Sequence, residues 1–167
     1  EGQGAVLSGA TKIIAVDLLE NKLQAACRFG ATHTLNAAAS DVVAAVLAMT
    51  GGRGADYAFV TVGSSQAMSQ ASRMIRKGGT AVVVGMPGNA DVNFTLNAHE
   101  IVYGRQVVGS NMGSTRPSVD IPRLVELYQR GRLKLDELIT GRYPLDRIND
   151  AIESMERGEA LRNVIVF

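Results

Sequence analysis

Asp17 is the first residue of this chain placed to do chemistry. The run KIIAVD, residues 12–17, reads as a strand covered on both faces and closed by a carboxylate. An acid in that place can accept hydrogen bonds from ribose hydroxyls, as in a dinucleotide-binding βαβ unit, and without a neighbouring base it disfavours a 2′-phosphate. A solvated acid at a strand end is the alternative, and spacing alone leaves both open. The glycine-rich phosphate loop of such a unit lies ~20 residues before the acid, which here runs off the start of the chain. The expectation is therefore a missing loop and not a different fold. Gly2-Gln3-Gly4 imitates the loop, but Leu7 stands where the third glycine should be, and the triplet is too near Asp17 to leave room for a helix.

Ligands of open parallel sheets bind beyond the carboxyl ends of the strands. Two expected ends are Thr61-Val62-Gly63 and Gly85-Met86-Pro87. Glycine there lets backbone come close to a ligand, or simply makes the turn into the next helix. Metal and nucleophile chemistry find less support. Cys27 stands alone, expected on the inward side of a helix, and His33 and His99 have no Cys or carboxylate at ligand spacing. No catalytic residue and no metal ligand is assigned.

The elements that must position these residues alternate. Residues 21–30 read as a helix with Leu23, Ala26 and Cys27 inward, and Gly30 past its end. THTLN (32–36) is a short strand, and residues 41–49 a helix capped by Ser40 or Asp41 and ended by Gly51-Gly52. ADYAFVTVG (55–63) is a strand, residues 64–75 a helix burying Met68, Ala71, Ser72 and Ile75, and TAVVVGMPG (80–88) a strand after the turn at Lys77-Gly78-Gly79. This rhythm predicts a doubly wound parallel sheet.

Beyond Pro87, DVNFTLN (91–97) alternates like a half-exposed strand, HEIVYG is about one helical turn, and RQVVGSNMG (105–113) is a strand. Residues 120–131 are expected as a helix with Ile121, Leu124, Val125 and Tyr128 on one face and Pro122 in its first turn. The tail reads as strand 139–145, helix 146–158 with Ile148, Ile152 and Met155 inward, and strand 162–167.

At 167 residues, 46% hydrophobic and with a formal charge of +1, the chain suits one ordinary globular core and offers no basic face for nucleic acid. The absence of Trp leaves little for base stacking. No apolar run spans a bilayer and no signal peptide is visible. One cysteine fits a reducing, cytoplasmic setting.

The arrangement IIAVD…FGATHTLN…GADYAFVTVG…IRKGGTAVVVG, and above all the tail LKLDELIT…YPLDRINDAIESMERGEALRNVIVF, resembles the zinc-dependent alcohol dehydrogenases of the medium-chain dehydrogenase/reductase superfamily. The resemblance is strongest to the branch with class III-like and nicotinoprotein enzymes, and it covers the chain after about residue 4. It implies a Rossmann-like sheet lacking its first strand and loop. Residues 1–115 would be a truncated NAD-binding domain, and residues 116–167 its last helix and the return to an absent catalytic domain.

By position, the resemblance makes Asp17 the ribose acid and Lys22 the base near the adenosine ribose. Thr61, Val62 and Gly63 flank the cofactor, while Val84, Gly85 and Met86 line the nicotinamide side. Ser110, Asn111 and Met112 hold the carboxamide by main chain, and Arg162 reaches the pyrophosphate. The implied cofactors are NAD(H) and, in the full family, a zinc whose ligands this chain does not carry. The implied reaction is hydride transfer between an alcohol or aldehyde and nicotinamide, with this portion inactive alone. A homodimer through the strand from Arg105 to Asn111 is also implied. Two further readings are a stand-alone nucleotide-binding or dimerisation module, and a methyltransferase, which the tail does not suit.

Overall fold

The computed structural model describes residues 1–88 and 93–167. Its contacts group into two compact units, residues 1–38 with 116–167, and residues 39–115.

Unit 1 opens with α1 (Gly2–Leu7), so the Gly2-Gln3-Gly4 triplet is helical. Gln3 exchanges two hydrogen bonds with the backbone of Lys134, at 2.8 and 2.7 Å, and Lys134 Nζ donates to the carbonyl of Arg28 at 2.8 Å. Strand β1 (Ile14–Asp17) pairs in parallel with β2 (His33–Asn36), joined by helix α2 (Glu20–Arg28). Helix α2 buries Leu23 and Ala25, while Cys27 is exposed. The inward stripe expected from periodicity is corrected because α2 is covered from two directions. Ala25 lines a cavity with Thr140 and Leu161 of the tail, and Cys27 falls on the side left over.

Helix α6 (Pro117–Gln129) starts at Pro117, not near Asp120, so Pro122 lies inside the helix and not in its first turn. Strands β6 (Ile139–Pro144) and β7 (Arg162–Val166) pair in parallel around helix α7 (Ile148–Glu156). Helix α7 buries Ala151 and Ser154, and Asn163 Nδ2 donates to the Ala151 carbonyl at 2.8 Å. Small residues allow that close seat. The larger stripe expected inward, Ile148, Ile152 and Met155, points to solvent, as do Ile121, Leu124, Val125 and Tyr128 of α6.

Unit 2 holds helix α3 (Val42–Met49), whose N-cap Asp41 accepts from Ala44 N at 3.1 Å. Strands β3 (Ala55–Val60), β4 (Ile75–Val83) and β5 (Gln106–Gly109) form one parallel sheet in that order. Helix α4 (Ser65–Met74) covers one face with Met68, Ala71 and Ser72 buried, as its spacing predicts. Ile75 and Ala81 complete the core. The opposite face shows Tyr57 and Phe59, stacked with ring centroids 6.3 Å apart.

The expected turn at Lys77-Gly78-Gly79 is a bulge within β4. Ala55 pairs with Ile75 and Tyr57 with Thr80, so residues 76–79 loop out opposite Asp56. Helix α5 (Ala98–Val102) precedes β5. Of the strand expected over residues 91–97, Asp91 and Val92 lie outside the described residues, and residues 93–97 are not a strand. Among the described residues, β1 pairs only with β2, and β3 only with β4.

The bulge is tied down by Arg76, whose Nε meets Asp56 Oδ1 at 2.6 Å, with Arg53 at 3.4 Å from Oδ2. The hydrogen bond from Arg76 holds the Asp56 carboxyl below its ordinary value, with the two positive charges adding to it. A lowered folded pKa gives stability that is present above the unfolded value of about 3.9 and lost as pH falls through the folded one. Asp56→Asn is therefore expected to lower the urea midpoint at pH 7, with the gap to wild type closing below about pH 4. A gap that does not narrow as the pH falls below about 4 would count against this account.

Candidate functional site

Register brings three segments to one edge in unit 2. Val60 pairs with Val83, and Val83 with Gly109, so residues 61–63, 84–86 and 110–112 leave a parallel sheet at the same level. The ladder extends one step, with Val84 N and Gly85 N bonding Val60 O at 2.8 and 2.9 Å, and Ser110 N bonding Val83 O at 2.9 Å. Carboxyl ends of parallel strands are where such sheets take ligands.

The two glycines there answer to each other. A Cβ on Gly63 would stand 2.1 Å from the Met86 carbonyl oxygen, and one on Gly85 would stand 2.4 Å from the carbonyl carbon and oxygen of Val62. Backbone meets backbone at this point, so glycine is required for packing of the two strand ends, whatever a ligand asks. With both paths pressed together, the side chains of Val62, Met86 and Met112 turn outward, at 53%, 83% and 88% exposure. The edge thus offers apolar side chains and main-chain polar groups, a surface suited to a flat ring bearing an amide.

Beyond β5 the chain turns left-handed. Met112, Gly113 and Ser114 have φ of 48°, 76° and 50°. For the two non-glycine residues this costs roughly 1–2 kcal/mol each. Strain of this kind persists where surroundings over-determine it, often at functional sites. Ser110 Oγ and Ser114 Oγ stand 3.5 Å apart across the turn. Gly113 was the turn's only signal in the sequence; nothing there marks Met112 or Ser114.

In unit 1, Asp17 pairs with Asn36 at the carboxyl end of β1–β2. Its Oδ1 accepts from Leu19 N at 2.9 Å, shaping the exit into α2, and Oδ2 makes no hydrogen bond among the described residues. Lys22 Nζ donates to the carbonyl of Ala160. Arg162 is exposed at the start of β7, where its carbonyl accepts from Thr140 Oγ1 at 3.2 Å. Asp17, Lys22 and Arg162 thus belong to unit 1, and the three strand-end segments to unit 2.

Among the described residues no three His, Cys, Asp or Glu side chains converge to hold a metal ion. A zinc ion therefore has no fit on these residues. Among them too, no helix is long and apolar enough to cross a membrane.

Comparison with known proteins adds four findings. The family model of zinc-binding dehydrogenases matches residues 2–130. A protein of Amycolatopsis methanolica described as an NDMA-dependent alcohol dehydrogenase is 38% identical over 98% of this chain and 45% of its own length. A probable S-(hydroxymethyl)glutathione dehydrogenase of Schizosaccharomyces pombe is 37% identical over 98% of the chain and 43% of its own length. The crystal structure of benzyl alcohol dehydrogenase from Acinetobacter calcoaceticus superposes with a TM-score of 0.93 at 32% identity, covering 98% of this chain and 45% of that one. The chain spans under half the length of these relatives.

Proposed function

We propose a function from one premise: this chain belongs to the zinc-binding dehydrogenase family. Its fold is the α/β, parallel-stranded cofactor-domain type of the alcohol dehydrogenases it resembles. Within that family it serves as the cofactor-binding portion of an NAD(H)-dependent alcohol dehydrogenase, oxidising an alcohol or reducing an aldehyde only with the remainder of the enzyme. The observation that carries this reading is the shared register that delivers three strand ends, two of them glycine-bearing, to one edge.

NAD(H), when bound, supplies the hydride acceptor or donor. The chain's own residues hold and orient it. The Asp17 carboxylate accepts hydrogen bonds from the adenosine ribose and repels a 2′-phosphate, favouring NAD over NADP. Residues 61–63 and 84–86 flank the ring, the main chain of residues 110–112 holds the carboxamide, and the Arg162 guanidinium meets the pyrophosphate. Among the described residues strand β5 pairs only with β4, and we place a homodimer contact on its outer side, along the strand from Arg105 to Asn111. A cytoplasmic location belongs to the same proposal.

The coding sequence upstream tests the reading. A strand, a GxGxxG loop and Cys/His zinc ligands are expected in frame; a stop codon or unrelated sequence would overturn it. A titration supplies the second check. Lacking the backbone N–H groups that grip a pyrophosphate at a helix N-terminus, the chain alone is expected to give no saturable shift in NADH emission. Tight binding would favour a stand-alone nucleotide-binding module instead.

A further inference from the structure

We propose that Glu100 and Arg105 are positioning residues whose ion pair locks the register of β5 on β4, and so the level at which residues 110–112 reach the edge. The lock stands on the packing of unit 2; only its consequence for a cofactor rests on the reading above. Strand β5 itself shows the need for it. Val107 packs against the core of Val60, Met68, Ala71, Ile75 and Ala81, while its neighbour Val108 is exposed. A slip of one residue turns every side chain to the other face. Over residues 105–110 one alternating set is Arg105, Val107 and Gly109, and the other Gln106, Val108 and Ser110. Each set carries a single valine, so the hydrophobic pattern does not choose between them.

Arg105 makes the choice. Its Nη1 meets Glu100 Oε1 at 3.0 Å, with the two side chains only 17% and 18% exposed. Glu100 is itself placed against α4, its Oε2 lying 3.4 Å from the buried Ser72 Oγ. One turn earlier on α4, Ser69 Oγ accepts from Thr95 N at 3.2 Å, which holds the approach to α5 on the same helix. Between the partners the chain turns at Gly104, with φ of 79°, and the Lys77 ammonium sits over the Tyr103 ring at 4.2 Å. A slipped β5 would carry Arg105 to the far face and leave two largely buried charges unpaired. As a plain stabiliser the pair is poorly made, because Arg105 Nε is buried without a hydrogen bond among the described residues. Apolar side chains often replace such a pair without loss of stability, whereas fixing register is the best-attested use of buried polar groups.

Nuclear magnetic resonance on the chain tests the lock with no nucleotide present, so its outcome leaves the cofactor reading untouched. In wild type, Val107 methyls are expected to show contacts with the core cluster, and Val108 methyls none. In Glu100→Leu/Arg105→Leu the urea midpoint is expected at or above the wild-type value. The same double variant should show a second set of β5 signals in which Val108 methyls contact the core. Exchange of the Ser110 amide, bonded to Val83 O, should quicken about tenfold. Glu100→Gln, whose amide oxygen still accepts from Arg105, is expected to keep one register at a lowered midpoint. A double variant with one set of signals and Val107 alone in the core overturns the proposal. So does a double variant that unfolds, since the pair would then hold stability and not register.

Discussion

Gly85→Ala is expected to destabilise unit 2 by about 3 kcal/mol, at the upper end of overpacking costs. The added methyl would stand 2.4 Å from the Val62 carbonyl and 2.7 Å from the carbonyl carbon of Thr61. Those atoms are backbone, so no rotamer change relieves the clash. Gly63→Ala meets the same junction from the other side, 2.1 Å from the Met86 oxygen. Once one substitution has parted the strands, the other should cost little more, so the pair is expected to be sub-additive. Gly88→Ala and Gly109→Ala, where a Cβ meets nothing within 4 Å, are the controls and should stay within about 0.5 kcal/mol. Urea unfolding followed by circular dichroism reads all four. A wild-type midpoint for Gly85→Ala would mean the two strand ends do not pack as described.

Ile75→Ala is expected to cost a similar amount, about 3 kcal/mol. Ile75 is 0% exposed among Val60, Met68, Ala71 and Ala81, so the lost side chain leaves a void that rigid neighbours cannot fill. Ile148→Ala gives the contrast. The same change at 40% exposure should cost under about 1 kcal/mol in the isolated chain. Equal losses at the two sites would show that the α7 stripe is covered after all.

These two isoleucines mark where the sequence could be read and where it could not. The burial of Ile75 was legible from the stripe of Met68, Ala71 and Ser72 that it continues, although Ile75 itself is the first residue of β4 and not the last of the helix expected over residues 64–75. The stripe of α7 is equally periodic, but periodicity reports that a helix has an apolar side, not which side meets the rest of its chain. Ala151 and Ser154 won that contact because small side chains let the helix settle close to β6 and β7. Cys27 was misplaced for a related reason, since α2 is covered from two directions and a single-stripe rule cannot describe it.

Site residues followed the same division. The parallel alternation of strands and helices made two strand ends readable, and with them Thr61, Gly63 and Gly85, whereas Ser110 came only with the family resemblance. The mutual contact of Gly63 and Gly85 was not readable, because it joins loops whose approach depends on register. The bond from Lys22 to the Ala160 carbonyl spans most of the chain length, and no local pattern encodes it. The place of Asp17 at the end of β1 was legible in the apolar run before it; its bond to Leu19 N adds that part of the carboxylate is spent on the turn.

The uncovered aromatic pair on β3 has a practical consequence. The chain has no tryptophan and four tyrosines, so tyrosine supplies its intrinsic fluorescence. Tyr57, 64% exposed and stacked on Phe59, belongs to a strand that pairs only with β4 among the described residues. Any surface that comes to lie over that face alters the solvent around the phenol ring. The protein therefore carries its own label-free optical reporter for what settles along β3.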